Sequence, residues 1–293
     1  MQSFRRTGQR RQLLIVGCGA LGGALALRLG PCASVTVLDP CPRARVKVPV
    51  FHDPAGLRGR SFDGVIVATK CYDAARALAG LKIIGAARRV LFLQNGLLDL
   101  PRIAHGLPEA ALVRGVTTSA VGNVKGKPVF HYQGRFFLAC DRHKQAAGWF
   151  CRLLSDAGLK ASLVSRSSRI TWAKLIFSAV MNPLPVIEGR GYDVLRTDAC
   201  VWKSVRQAVE EGKAVARALR VRLAFDPLKI IKRVRQGDLK GIAHRGTLFE
   251  DRRAGRPTEL DYITGALVRQ ARRQGLKTPA LDLILRKARK AGA

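Results

Sequence analysis

Apolar positions along the chain fall into two textures. In the first half, short runs rich in β-branched residues recur at 13–16, 34–38, 64–69 and 90–94, with helix-like stretches following the first and third. Strands that alternate with helices predict a parallel sheet covered by helices on both faces. Between 111 and 139 the texture changes to strand-like pieces at 112–121, 128–132 and 135–139, separated by glycine-containing turns. These are expected to extend the sheet, in part antiparallel. Beyond about residue 165 strand signals give way to apolar residues at helical spacing, which predicts helices over 168–183, 197–220, 226–236, 258–274 and 279–290. The expected fold class is an α/β Rossmann-type dinucleotide-binding domain over 1–166, followed by an all-α C-terminal domain over 167–293.

Composition narrows the class. The 293 residues include 52 Lys+Arg against 20 Asp+Glu, a formal net charge of +32, with 47% hydrophobic residues. That content excludes a disordered or collagen-like chain. Seven cysteines, odd in number and never spaced C-x-x-C, with five scattered histidines and no H-E-x-x-H, predict no metal site. Reduced thiols fit a cytoplasmic location. The basic residues run along the whole chain, aromatics are 6%, and zinc-finger and RNP signatures are absent from the sequence. Salt-sensitive attraction to polyanions is expected, with no specific nucleic-acid partner.

Arg5, Arg6, Arg10 and Arg11 precede an uncharged stretch over 13–27, a pairing that resembles a secretory signal. The apolar run is shorter than the roughly 20 residues a membrane span needs. It also holds Gly17, Gly19, Gly22 and Gly23 and leads into a second strand. Strand, tight turn, helix, strand is the favoured reading, with no membrane partner.

Gly17-Cys18-Gly19-Ala20-Leu21-Gly22 follows the first strand directly and opens a helix. In G-x-G-x-x-G the first glycine allows the turn, the second lets backbone approach a pyrophosphate, and the third lets helix and strand pack closely. The anion then sits on the helix's free N–H groups. Asp39 ends the second strand 17 residues past Gly22, where an acid favours NAD by binding the ribose. Arg43 and Arg45 follow and suit a 2′-phosphate instead, and Asp39-Pro40 is also a plain turn pair. These residues leave NADPH and NADH both open.

In the helical half, Lys174, Ser178 and Asn182 are spaced i, i+4, i+8, on one face of an otherwise apolar helix. Polar groups in line along a buried helix suggest a cleft wall. Further on, Thr247 to Asp251 and Thr258-Glu259-Leu260-Asp261-Tyr262 bring hydroxyls and acids to a helix start, where Thr258 is a candidate cap.

With these segments the whole chain resembles the ketopantoate reductase (2-dehydropantoate 2-reductase) family. The resemblance runs in order through the glycine motif, Ala68-Thr69-Lys70-Cys71-Tyr72-Asp73, Leu93-Gln94-Asn95-Gly96, Gly115-Val116-Thr117-Thr118-Ser119, Trp172-Ala173-Lys174-Leu175, Asn182-Pro183-Leu184, 247–251 and 258–262. It implies an oxidoreductase of pantothenate biosynthesis, on the route to coenzyme A, that reduces 2-dehydropantoate to (R)-pantoate with NADPH. Its active site would lie between the two domains. By position, Lys174 would be the general acid and Glu259 the acid that orients substrate and lysine. Lys70 and Asn95 would lie near the cofactor, joining Gly17 to Gly22, Asp39 and Arg43. Asn95, Lys174, Ser178, Asn182, Thr247 and Glu259 would meet the substrate. Ser178 and His244 stand where the family commonly has Asn, and Thr247 where it often has Ser, which opens the choice of 2-oxo acid. The partner implied is a small 2-oxo acid, and a homodimer is an admissible assembly. The alternatives are a reductase of another branched 2-oxo acid and a basic Rossmann protein that binds dinucleotide or nucleic acid without catalysis.

Overall fold

A computed structural model describes residues 10–84, 88–99, 111–238 and 246–293. Arg5, Arg6 and His244, singled out above, lie outside the described residues. Strands β1 (Gln12–Val16), β2 (Ser34–Leu38), β3 (Val50–Phe51), β4 (Gly64–Val67), β5 (Arg89–Phe92), β6 (Ala111–Thr117), β9 (Phe136–Ala139) and β10 (Ala161–Val164) form one sheet in the order β10-β9-β6-β5-β4-β1-β2-β3. Every pairing is parallel except β6 with β9.

Strands buried on both faces read as continuous apolar runs, and β1 shows why. Leu13 and Ile15 pack with Leu25 and Leu29 of helix α1 (Ala20–Leu29) on one face. Leu14 and Val16 pack with Leu78 and Leu81 of helix α2 (Ala74–Ile84) on the other. The chain leaves β1 toward β2 on one side and returns to β4 on the other. That reversal opens a crevice at the carboxyl ends of β1 and β4, the place where such sheets bind ligands.

The strand-like stretch at 112–121 divides. β6 stops at Thr117, and β7 (Ala120–Val124) pairs antiparallel with β8 (Lys127–Tyr132) in a separate two-stranded sheet. Of the three pieces expected to extend the main sheet, therefore, only 112–117 and 135–139 do so. Pro128, exposed Val124 and exposed Tyr132 suit an outlying hairpin, because Pro cannot donate to an inner ladder. Helix α3 (Lys144–Asp156), absent from the sequence-based expectation, covers the sheet with Ala146, Ala147, Phe150, Leu153 and Leu154. Those five residues have plain helical spacing.

Strands end at Val164, and helix α4 begins the second half at Ser167. The remaining helices are α4 (Ser167–Met181), α5 (Leu184–Glu188), α6 (Val194–Thr197), α7 (Ala199–Ala218), α8 (Pro227–Gln236), α9 (Gly246–Arg253), α10 (Leu260–Arg273) and α11 (Pro279–Lys290). Ile176 and Ala179 of α4 pack with Val209 of α7, Leu267 of α10 and Leu281 of α11. Thr264 Oγ1 donates to the Ala179 carbonyl at 2.8 Å inside that core. The 22-residue run Ser167–Glu188 has the length and hydropathy of a membrane span, but most of it is buried inside the protein, as in a core helix. The α10 start differs from expectation: its N-cap is Glu259, and Thr258 does not cap it.

The two halves meet through backbone. Leu97 N donates to the Tyr262 carbonyl at 3.2 Å. Gly96, at φ 78°, lets that carbonyl approach so closely that a Cβ would lie 2.4 Å from it. In the glycine turn, a Cβ on Gly22 would sit 1.8 Å from the Gly17 carbonyl oxygen, whereas a Cβ on Gly19 would meet nothing within 4 Å. Gly22→Ala is therefore expected to lower stability by at least about 1–3 kcal/mol. Gly19→Ala is expected to stay within about 1 kcal/mol of the parent. Denaturant midpoints compare the two, and equal losses would contradict this reading of the turn.

Candidate active site

Four strand ends supply one wall of the crevice: β1 leads into the glycine turn, β4 into Ala68, Thr69 and Lys70, β5 into 93–96, and β6 ends at Thr117. The turn is anchored from two sides. Gly17 N donates to the Leu38 carbonyl at 2.9 Å, and Ala68 N donates to that of Val16 at 2.8 Å. Gly19 is the N-cap of α1, and no side chain caps the helix. The first-turn N–H groups and open space over Gly19 therefore form a cradle an anion can enter. The residues present fit a dinucleotide pyrophosphate there.

Asp39 belongs to the same turn. Its carboxylate accepts the Cys18 N–H through one oxygen and the Cys41 N–H, at 2.8 Å, through the other. Each oxygen keeps a lone pair for a ribose hydroxyl. The Cys18 thiol faces the Ala44 carbonyl, and burial together with the Asp39 charge pushes it up to about 11, so it is a packed, inert group. Arg43 N donates to the Cys18 carbonyl, while its guanidinium reaches across the crevice to within 3.7 Å of Asp251. Arg45 instead lies along Gly126 at the hairpin turn.

Asp251, on α9, is the centre of an ion cluster that the sequence alone did not single out. Its side chain is 5% exposed and accepts from Lys70 Nζ at 2.6 Å and from Arg256 Nη2 at 2.8 Å. Glu259 accepts the Cys71 N–H at 3.0 Å and Lys70 Nζ at 3.3 Å. Lys70 thus joins one half of the molecule to two buried carboxylates of the other. Burial alone would lower its pKa, but Glu259 and Asp251 outweigh it and hold Lys70 above its ordinary value. The Cys71 thiol donates to the Asn95 carbonyl at 2.6 Å, and burial with Glu259 nearby raises it strongly.

Lys174 stands apart from that cluster. Together with Ser178, Asn95, Gln94, Thr117 and Arg114 it lines a small cavity between the halves. No carboxylate lies within ion-pair distance of Lys174 among the described residues; its ammonium rests over the Phe177 ring, 5.3 Å from the centroid. Burial pushes it down to about 8. The structure brings Lys174, Ser178 and Asn95 to one cavity. Glu259 is held instead by Lys70 and the Cys71 backbone. Asn182 continues the Lys174 row as the C-cap of α4, and Thr247 opens α9. Neither belongs to the cavity wall. Arg114, unmarked by any motif, does belong. Among the described residues no cluster of three His, Cys, Asp or Glu side chains could hold a metal ion.

A crevice at a sheet's switch point, a glycine cradle and a lysine in an interdomain cavity define a class, the two-domain dinucleotide-dependent oxidoreductases. Two family models cover most of the chain: "Ketopantoate reductase PanE/ApbA" over 13–141 and "Ketopantoate reductase PanE/ApbA C terminal" over 167–291. The chain belongs to the ketopantoate reductase PanE/ApbA family and is an oxidoreductase. It is 28% identical to the 2-dehydropantoate 2-reductase of Mycobacterium tuberculosis over 290 residues, covering 93% of this chain and 95% of that one. Among solved structures, D-mandelate dehydrogenase with NADH and anilino(oxo)acetate superposes with a TM-score of 0.83 at 22% identity, covering 96% of this chain and 98% of that one. The dimeric ketopantoate reductase of Staphylococcus aureus gives 0.77 at 19% identity, covering 95% and 98%.

The position of Lys174 carries a pH prediction. A lysine lowered to about 8 is a proton donor below that pH and a neutral amine above it. For reduction, kcat/KM should be level on the acid side of about 8 and fall roughly tenfold per pH unit above it. A profile that stays level well above that point would remove Lys174 from the proton-transfer role.

Proposed function

We propose that this enzyme reduces 2-dehydropantoate to (R)-pantoate with NADPH, and that Lys174 delivers the proton. The observation that carries this reading is an unpaired lysine, lowered by burial, in the cavity between a dinucleotide cradle and a helical domain. The name of the M. tuberculosis relative supports the substrate. D-mandelate dehydrogenase, with its different substrate, supports a second reading in which another branched 2-oxo acid is reduced.

When bound, the nicotinamide cofactor supplies the hydride. The chain's own groups do the rest. The N–H groups of 19–21 and the α1 dipole would hold the pyrophosphate, and Asp39, Arg43, Lys70 and Asn95 are the groups near which the ribose and nicotinamide would lie. Lys174 Nζ transfers its proton to the substrate carbonyl oxygen, which becomes the product hydroxyl, and the neutral amine then regains a proton from solvent. Before the transfer the ammonium stabilises charge developing on that oxygen. Ser178 offers a hydrogen bond to substrate from the cavity wall, Asn182 and Thr247 would reach it only from beyond that wall, and Glu259, held by Lys70 and the Cys71 N–H, is the proposed orienting acid. A homodimer is the proposed assembly, supported by the dimeric S. aureus relative.

Oxidation of NADPH with 2-dehydropantoate and a panel of 2-oxo acids tests the reading directly. Lys174→Ala is expected to lower kcat at least about 10²-fold while changing cofactor affinity far less, since the cradle lies in the other half. Glu259→Ala should weaken substrate binding as well as turnover, because it removes an orienting group and a partner of Lys70. A Lys174→Ala enzyme with near-parental kcat would overturn the mechanism.

The cofactor forms a separate prediction. The Asp39 oxygens already accept the Cys18 N–H of the glycine turn and the Cys41 N–H of the loop after β2, and Arg43 in that loop can pair with a 2′-phosphate. NADPH is therefore expected to give the higher kcat/KM. A ratio that favours NADH would assign the ribose to Asp39.

A further inference from the structure

We propose that Arg114 is the specificity determinant of the substrate cavity, the residue that takes the carboxylate of the 2-oxo acid. This rests on the reduction reading above.

Arg114 projects from β6 beneath the loop that follows β5. Its Nη2 donates to the Gln94 carbonyl at 2.8 Å and to the Gly96 carbonyl at 3.0 Å. Two carbonyls on one nitrogen fix the plane of the guanidinium. The other terminal nitrogen, Nη1, is buried and has no hydrogen-bond partner. Burial pulls the group below its ordinary value, yet a guanidinium keeps its charge at any working pH. The cavity wall that Arg114 shares with Lys174 and Ser178 carries no Asp or Glu among the described residues. The Cys71 thiol beside it is pushed up and stays neutral. Two cations thus face one small space without a counter-ion, a costly arrangement unless an anion completes it.

The missing partner has a defined chemistry. It is anionic and compact, since the cavity between the halves holds only about 10 Å³ and must widen to take even a few atoms. It must also offer an oxygen to Arg114 while presenting another to Lys174. A 2-oxo acid meets all three conditions: its carboxylate pairs with Nη1, and its adjacent carbonyl oxygen turns to the lysine. The polar lining beside Arg114 fits the same occupant, since Ser178 can donate to either oxygen. Arg114 is not needed for the hydride or the proton, so it acts on binding and selection.

The test compares Arg114→Gln and Arg114→Lys with the parent enzyme, each confirmed to bind NADPH with unchanged affinity by nucleotide fluorescence. With 2-dehydropantoate, Arg114→Gln is expected to raise KM roughly 10- to 100-fold, the loss expected for a charged hydrogen bond, with a much smaller change in kcat. Preference for a 2-oxo acid over its neutral 2-oxo amide should collapse in that variant and persist in part in Arg114→Lys. A second readout is independent of turnover. Oxalate, which cannot be reduced, should raise the melting temperature of the NADPH-bound parent and not of Arg114→Gln. An unaltered acid-over-amide preference and an unaltered oxalate shift in Arg114→Gln would overturn the proposal, as would a parent enzyme that oxalate does not stabilise. If the parent reduces no 2-oxo acid but shows the Arg114-dependent oxalate shift, the anion site stands and the reaction assignment falls.

Discussion

Asp251 and Glu259 lie buried in the helical half, and each needs a cation close by. Lys70 from the sheet half meets both, and Arg256 and Arg43 complete the charge around Asp251. Removing one member of a buried ion cluster typically costs about 3–5 kcal/mol, because the remaining charge is left uncompensated in a poor solvent. The cluster therefore fixes how the two halves face one another. The backbone bond from Leu97 to Tyr262 and the close approach at Gly96 sit beside it and depend on the same alignment. The crevice geometry follows from these few contacts.

The same arrangement accounts for the state of Lys174. The acids nearest the cleft are engaged by Lys70, Arg256 and the Cys71 backbone, so none is left to pair with Lys174. An ammonium buried without a counter-ion loses proton affinity, which is how a lysine comes to release a proton near neutrality. The two lysines thus have opposite fates: Lys70 is raised by its carboxylates and ties the halves together, and Lys174 is lowered by its isolation, the state the proposed proton donor needs.

Much of the fold was legible from local pattern. β1, β2, β4 and β5 are short apolar runs bounded by Gly, Asp or Asn, and the long C-terminal helices have clear 3.6-residue spacing, so periodicity alone finds them; β3, only two residues long, carries no period and is missed. The 112–121 stretch misled because a strand that changes partners keeps the same alternation; the break at Thr118 and Ser119 is a tertiary event. Thr258 has a capping chemistry, but Glu259 occupies the cap because its carboxylate is drawn to Cys71 N and Lys70, 188 and 189 residues away in sequence. Arg114 escaped notice, and Asp251 stood out only as the end of the 247–251 segment, for a related reason. A single Arg in a strand and an acid in a basic helix carry no spacing signal, and their meaning comes only from what the fold places opposite them.

The charge of +32 gains a more specific sense in this setting. Of the 20 acids, six have definite local tasks: Asp53, Asp198 and Asp226 cap helices, Asp39 holds the glycine turn, and Asp251 and Glu259 join the halves. The other 14 offset only a small part of the 52 Lys and Arg. A surplus of that size surrounds the molecule with a positive field, and a cleft with low-dielectric walls focuses such a field. On the reduction reading, that field would draw in dinucleotide phosphates and a 2-oxo carboxylate, and Arg114 and Lys174 would await the latter at the cavity. The excess charge and the unpartnered Nη1 of Arg114 would then act at two length scales, the first drawing anions in and the second selecting among them.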